Sequence, residues 1–189
     1  MKKELRKKYL DIRAAIPADL HAKKSQQIFE SLRTTEAYKS AKTVMIFLDF
    51  RGEVLTRPII NAMLEAGKTV ALPVVNFDTM ELILVGIDSL DNLVECKYGI
   101  MEPVVTKDNT MEPDEFDLIL APGAVFDPRG YRIGYGGGFY DKMLSKLTTP
   151  TQVIGLAFSE QMIMEVPHES FDQPLDAIVT DERVIICDN

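Results

Sequence analysis

Residues 130–141 read Gly-Tyr-Arg-Ile-Gly-Tyr-Gly-Gly-Gly-Phe-Tyr-Asp, and five of the chain's 11 glycines fall within this stretch. Glycine has no Cβ, so it accepts positive φ and lets another group approach the backbone closely. So dense a run is costly in chain entropy, and a fold keeps it where a tight path or a bound group needs bare N–H groups. Arg132 offers a planar fork to phosphate or carboxylate oxygens. Asp141 would repel a phosphate at the same place unless a divalent cation lay between them, which implies Mg²⁺. Neither common nucleotide motif is present. A dinucleotide fingerprint has Gly where Phe139 stands, and no Gly-Lys-Ser/Thr closes the loop. A purely structural turn is the alternative, but Arg132 and Asp141 weigh toward a nucleoside phosphate or similar anion held with Mg²⁺.

Such a loop needs rigid elements on both sides. Residues 117–122 (Asp-Leu-Ile-Leu-Ala-Pro) read as a short buried strand, and residues 139–144 place apolar side chains at helical spacing. Strand, Gly-rich loop and helix together present backbone N–H groups and a positive helix end to a phosphate. Further back, residues 43–48 form an apolar run of strand length, and residues 49–54 turn the chain. Residues 56–66 look helical with Gly67 as C-cap, and residues 68–75 make the next strand. This strand–helix–strand unit predicts parallel pairing. Residues 80–85 read as an edge or hairpin strand, and 86–116 as a mixed, loop-rich segment. Strands at 152–158, 177–180 and 183–187 follow, with a short helix near 159–165 and a tight connection at Thr180-Asp181-Glu182. The expected fold is a single three-layer α/β/α domain over 1–189, with helices flanking a mixed, mainly parallel sheet. In such sheets ligands sit beyond the carboxyl ends of the strands. Glu53, in the turn after Leu48, and Asp172 both lie in loops that this reading brings to that edge. Taken alone, each is as readily a solvated or capping acid.

Composition narrows the function classes. Hydrophobic residues make up 46% and charged residues 26%, ordinary for a soluble globular chain. No apolar run reaches the roughly 18 residues of a membrane helix. The first residues carry charge without a following apolar core, so no signal peptide is expected and the cytoplasm is the default. Cys96 and Cys187 lack metal-ligand spacing, and with His21 and His168 the only histidines a zinc site is not expected. A net charge of −8 and a pI of about 4.8 give no global support to nucleic-acid binding. An anionic ligand therefore needs a local positive island. Lys2, Lys3, Arg6, Lys7, Lys8 and Arg13 supply one against Glu4 and Asp11. A solvated helix face is the usual fate of such a run. Here Leu5, Tyr9, Ile12 and Ile16 recur at helical spacing and should dock the segment, while Lys2 and Arg6, four apart, share a face and could act on one anion. No dimer stripe is evident, so a monomer is expected.

In their order along the chain, several of these segments resemble the 5-formyltetrahydrofolate cyclo-ligase family. The closest likeness is residues 132–141, Arg-Ile-Gly-Tyr-Gly-Gly-Gly-Phe-Tyr-Asp. Residues 2–6 resemble the family's opening basic Leu-Arg segment. Ile46-Phe47-Leu48 followed by Glu53 resembles its substrate strand and acid. Residues 120–123, Phe126-Asp127, Ala157-Phe158 and Val166-Pro167 complete the set. The resemblance implies one α/β/α domain, with ATP and 5-formyltetrahydrofolate as small-molecule substrates, Mg²⁺ as metal, and no nucleic acid or membrane partner. It implies cyclisation to 5,10-methenyltetrahydrofolate with release of ADP and phosphate. ATP would contact Lys2, Lys3, Glu4, Leu5 and Arg6, together with Arg132, Ile133, Gly134, Tyr135, Gly136, Gly137, Gly138, Phe139 and Tyr140. Arg132 and Tyr140 are the catalytic candidates. Leu48, Glu53 and the loop centre Gly134 to Gly138 would face the folate, and Asp141 and Asp172 would hold the metal. Some family members have basic residues where this loop has Tyr135 and Gly137, and a Tyr where Phe139 stands. Part of the phosphate charge must then be met by Arg132, the amino-terminal cations, Mg²⁺ and backbone N–H groups. A non-catalytic folate- or nucleotide-binding protein is the alternative of another class.

Overall fold

The computed structural model describes residues 1–96 and 98–188. Three helices open the chain: α1 (Lys2–Ala14), α2 (Ala18–Thr34) and α3 (Glu36–Ser40). Then come β1 (Thr43–Ile46), α4 (Arg57–Glu65), β2 (Thr69–Asn76) and β3 (Glu81–Ile87). The loop-rich segment holds only the short strands β4 (Val94–Glu95), β5 (Met101–Glu102) and β6 (Thr110–Met111); residue 97 within it lies outside the described residues. Strand β7 (Leu118–Ala121), a hairpin of β8 (Val125–Phe126) and β9 (Arg132–Ile133), and α5 (Phe139–Leu144) build the glycine-rich region. Strands β10 (Gln152–Leu156), β11 (Ala177–Val179) and β12 (Val184–Ile186) complete the fold.

The main sheet runs β12-β11-β10-β7-β1-β2-β3-β6. Its five central strands, from β11 to β2, pair in parallel, and the flanking pairs β11·β12, β2·β3 and β3·β6 are antiparallel. Alternate residues of a strand point to opposite faces, and the core divides accordingly. Val44, Ile46, Leu118 and Leu120 pack with Ile28 and Leu32 of α2 and with Ile59, Ile60 and Met63 of α4. Met45, Ile119 and Ala121 point the other way and pack with Met143 and Leu144 of α5. The result is the expected three-layer α/β/α arrangement with a mixed, mainly parallel sheet. Helix α1 lies outside these layers. Its Leu5, Tyr9 and Leu10 pack against Ala124, Val125, Ile133 and Val166, across the β8–β9 hairpin.

Two local expectations are corrected, and a third is narrowed to one of its alternatives. The glycine-rich stretch does not follow its strand directly, because the β8–β9 hairpin intervenes. Gly130 belongs to the turn of that hairpin, with φ 89° and its N–H donated to the Asp127 carbonyl. No helix spans residues 159–165; a single helical turn at Ser159–Gln161 replaces it. The cause is Gln161, which is buried: its Oε1 accepts from the Phe158 N–H, and its Nε2 donates to the Gly123 and Ala124 carbonyls. Those bonds draw the chain inward after one turn. Finally, β3 is a hairpin strand but not an edge, since β6 pairs on its outer side.

Candidate functional site

From β1 the chain steps to β2 on one side and later returns to β7 on the other, so the winding direction reverses between β1 and β7. A crevice opens beyond the carboxyl ends of strands at such a point. Here it is a cleft of about 1170 Å³. Phe47, Leu48 and Glu53 line it from the segment after β1, Pro122 from the segment after β7, and Arg132 to Asp141 from the glycine-rich segment.

The turn carrying Glu53 is built by its own sequence. Arg51 (φ 47°) and Gly52 (φ 79°) are both left-handed and reverse the chain. Asp49 and Thr56 clip the loop shut: the Thr56 N–H donates to Asp49 Oδ1 at 2.8 Å, and the Asp49 N–H donates to Thr56 Oγ1 at 2.9 Å. Glu53 is thereby folded inward, 9% exposed. Its Oε2 accepts from the Phe50 N–H at 2.9 Å, and its Oε1 accepts from the Tyr135 hydroxyl. Burial raises its carboxyl above the usual range, an effect the Tyr135 and Phe50 donors partly offset.

The opposite wall is positive. Lys2 and Arg6 both line the cleft from α1. Arg6 Nε donates to the Gly134 carbonyl at 2.6 Å, and its guanidinium lies close against Gly136, which has φ 105°. Lys2 Nζ pairs with the Asp172 carboxylate. Burial pushes the Asp172 carboxyl up, but the Lys2 and Glu169 N–H donors outweigh it and hold the group below the usual range. Arg132, whose side chain is 3% exposed, pairs through Nη1 with Asp141 Oδ1 at 3.1 Å, and the Gln173 N–H donates to the same oxygen. Tyr140 is packed beside Arg132, with the guanidinium carbon 5.7 Å from the ring centroid. Its hydroxyl is buried without a hydrogen-bond partner among the described residues. Burial of the hydroxyl end, then the Glu53 carboxylate, raises both the Tyr140 and Tyr135 hydroxyls above the usual tyrosine range; Tyr135 as a whole is 49% exposed, and its hydroxyl is the end turned inward between Arg13 and Glu53.

Of the residues singled out in the sequence, Lys2, Leu48, Glu53, Arg132 through Asp141, and Asp172 all line this one cleft, as does Arg6. Lys3, Glu4 and Leu5 do not: Lys3 and Glu4 are exposed, and Leu5 packs under the helix. Helix α5 is only six residues long, so few peptide dipoles align behind the loop. The positive character comes from side chains instead. Sequence reasoning missed Arg13, which is 3% exposed and lines the cleft. The signal was there: positions 2, 6 and 13 share one face of a helix of period 3.6. It also missed Phe171, whose ring lies 5.9 Å from Lys2 Nζ.

The donor set suits a magnesium ion that brings its own ligands. Asp141 and Asp172 both line the cleft, and Mg²⁺ is usually held by one or two carboxylates plus waters and substrate phosphates. A dedicated cage is a different matter, since no group of three or more His, Cys, Asp or Glu among the described residues could hold a metal by itself.

Comparison with known proteins identifies the family and the fold. The sequence profile of the 5-formyltetrahydrofolate cyclo-ligase family matches residues 1–181. The chain is 33% identical over 174 residues to the 5-formyltetrahydrofolate cyclo-ligase of Escherichia coli K12, covering 91% of this chain and 96% of that one. It is 30% identical over 198 residues to a probable 5-formyltetrahydrofolate cyclo-ligase of Caenorhabditis elegans, covering 100% and 96%. The fold matches the NMR structure of Aquifex aeolicus 5,10-methenyltetrahydrofolate synthetase with a TM-score of 0.86 at 31% identity, covering 100% and 93%. It matches the Mycoplasma pneumoniae synthetase at 0.78 and 26%, covering 95% and 98%. The chain therefore belongs to the 5-formyltetrahydrofolate cyclo-ligase family and is an enzyme of the ligase class.

Proposed function

We propose that the chain cyclises 5-formyltetrahydrofolate to 5,10-methenyltetrahydrofolate, converting ATP to ADP and phosphate with Mg²⁺. The observation that carries this reading is the division of one cleft into a cationic wall and a buried acid. Lys2, Arg6 and Arg132 surround the glycine-rich loop, while Glu53 lies buried beside Leu48 and Phe50. A triphosphate needs the first; a ring bearing N–H donors needs the second.

The chemistry accounts for both. A formamide carbon is a poor electrophile, and its oxygen is a poor leaving group. In the proposed sequence the formyl oxygen attacks the γ-phosphorus and ADP leaves. N10 then attacks the formyl carbon, the carbon–oxygen bond breaks, and phosphate departs carrying the formyl oxygen while N10 loses its proton. No side-chain nucleophile is required. The protein's work is positioning and charge stabilisation. Arg132, Lys2 and Arg6 bind phosphate oxygens along with the N–H groups of residues 134–138. Tyr140, whose hydroxyl has no hydrogen-bond partner among the described residues, donates to the reacting oxygens. Glu53 and Leu48 orient the pterin. Asp141 and Asp172 would hold Mg²⁺ against the phosphates, where it would spread the developing negative charge. The same reading has the chain work as a one-domain cytoplasmic monomer on small molecules, without nucleic-acid or membrane partners.

The test is an absorbance assay with purified protein, 5-formyltetrahydrofolate, Mg²⁺ and ATP, following the conjugated methenyl product. Product that appears only with ATP supports the reading. Binding of both ligands without turnover would favour a non-catalytic binding protein, and absence of folate binding would remove the substrate assignment.

A further inference from the structure

Arg13 is a buried cation without a carboxylate in direct contact. None of the salt bridges among the described residues includes it, although its residue exposure is 3%. A buried charge of this kind is costly unless hydrogen bonds and an opposite charge compensate it. Its hydrogen bonds run to three separate segments of the site. Nη2 donates to the Arg51 carbonyl at 3.0 Å, in the turn that carries Glu53. Nη1 donates to the Gly123 carbonyl at 3.4 Å, just beyond β7, and to the Tyr135 hydroxyl at 2.8 Å. Accepting from Arg13 leaves that hydroxyl one direction for its own proton, and the proton goes to Glu53 Oε1. Guanidinium, phenol and carboxylate thus form one directed chain, with the phenol bridging two buried charges. Tyr135 stands between Gly134, whose carbonyl Arg6 holds, and Gly136, and the direction of its hydroxyl is set by this chain.

We infer that Arg13 is a positioning residue: through the Tyr135 hydroxyl it fixes the Glu53 carboxylate for the folate ring and ties the glycine-rich loop to the turn after β1. The inference rests on the proposed function in that Glu53 is taken to contact the folate. It assigns Arg13 a task distinct from the phosphate-facing work of Lys2 and Arg6 on the same helix face. Arg13 lies about two helical turns beyond Arg6 and about three beyond Lys2, at the acid end of the cleft. Removing the bridge deprives Glu53 of a charge-assisted donor and leaves Arg13 and Glu53 buried without their shared partner. The groups acting on Glu53 are Tyr135, Arg13, the Phe50 N–H and Asp49, with the Tyr140 hydroxyl also in its field. Of these, Tyr135, the Phe50 N–H and Arg13 favour its ionised form and Asp49 opposes it, so losing the Tyr135 hydroxyl or Arg13 moves its titration to higher pH.

The test uses Tyr135→Phe, which keeps the ring and removes only the hydroxyl, alongside Arg13→Met and the double variant. Binding of 5-formyltetrahydrofolate without ATP should weaken about tenfold in Tyr135→Phe. Binding of a non-hydrolysable ATP analogue should change by less than about twofold, the split that a site-specific role requires. The acid limb of the pH profile of kcat/KM for the folate should move to higher pH. Arg13→Met should give the same pattern, and the double variant should add little to either single change, because the two residues act through one bond. Equal losses for both ligands with an unmoved acid limb would overturn the inference and leave Arg13 a packing residue. Unchanged folate affinity in Tyr135→Phe, with wild-type turnover intact, would overturn it while leaving the proposed function standing. A wild-type chain that binds no folate would overturn both. If Arg13→Met does not fold, Tyr135→Phe alone still decides.

Discussion

Arg132 and Asp141 lie on either side of the glycine-rich loop and are joined across it, Nη1 to Oδ1 at 3.1 Å. The pair closes the loop at its base: Arg132 sits in β9 and Asp141 in the first turn of α5. It also sets the two charges assigned to phosphate and metal against each other. Arg132→Lys keeps a cation but replaces the planar fork with a compact ammonium, which loses the fixed two-pronged geometry that faces Asp141 on one side and a phosphate oxygen on the other. We expect kcat to fall by about 100-fold or more, the usual loss when a donor aimed at developing charge is removed. The melting temperature should change little. Steady-state kinetics beside a thermal melt check this, and an unchanged kcat would remove Arg132 from the chemistry. In Asp141→Asn the Mg²⁺ concentration for half-maximal rate should rise, and a superimposable Mg²⁺ titration would argue against metal binding there.

Gly130 and Gly134 look alike in the sequence and should behave oppositely. A Cβ at Gly130 would stand 2.4 Å from the Leu175 carbonyl oxygen and 2.9 Å from its nitrogen, at a φ of 89°. Backbone cannot give way as a side-chain tip can. Gly130→Ala should cost about 3 kcal/mol, lowering Tm by roughly 6–12 °C for a chain of this size. A Cβ at Gly134 meets nothing within 4 Å and needs no positive φ. Gly134→Ala should shift Tm by no more than about 2 °C. Equal shifts in two thermal melts would refute the distinction.

Which features the sequence disclosed follows from what periodicity encodes. Strands β1, β2 and β7 and helix α4 were legible because their burial is set by local alternation and helical spacing, which survive any tertiary context. Lys2 and Arg6 were placed together by their spacing of four, and the structure sets both on the cleft. Gly130 was misread because residue type shows that a glycine is needed, but not whether a turn or a ligand needs it. The missing helix at residues 159–165 was illegible for a different reason. Gln161 there bonds to Gly123 and Ala124, nearly forty residues away, and no local pattern reports such a contact. Arg13 was counted only as one more charge in a basic run. Its burial depends on the carbonyls of Arg51 and Gly123 arriving from two other loops.

Glu53 gives a pH signature in stability as well as in activity. Its folded carboxyl lies above the ordinary value, chiefly through burial. The folded chain therefore holds this proton more tightly than the unfolded chain. At low pH both states are protonated and nothing is lost. As pH rises through the unfolded value, near 4.3, and on through the higher folded one, the fold is progressively destabilised by the buried charge. Glu53→Gln carries no such charge. The melting temperature of the variant minus that of the parent should therefore increase as pH rises above about 4 and level off once the folded carboxyl has ionised. Parallel curves across that range would show that Glu53 does not titrate abnormally.

Lys2 offers the sharpest separation of binding from folding. It sits at the first position of α1, its side chain is 31% exposed, and its only ion-pair partner among the described residues is Asp172. A partly exposed pair of this kind contributes at most about 1 kcal/mol to stability, so Lys2→Met should melt within about 3 °C of the parent. Its loss should be felt by the nucleotide instead. With Phe171 beneath it and Arg6 one turn on, the Lys2 ammonium is one of the cations assigned to the triphosphate. KM for ATP should rise about tenfold while KM for the folate, bound at the Glu53 end, stays within about twofold. The effect should also shrink as salt is raised, since a partly solvated charge is screened where a buried one is not. If both KM values rise together, Lys2 acts by holding α1 on the body and not by contacting the nucleotide, and the cationic wall would rest on Arg6 and Arg132 alone.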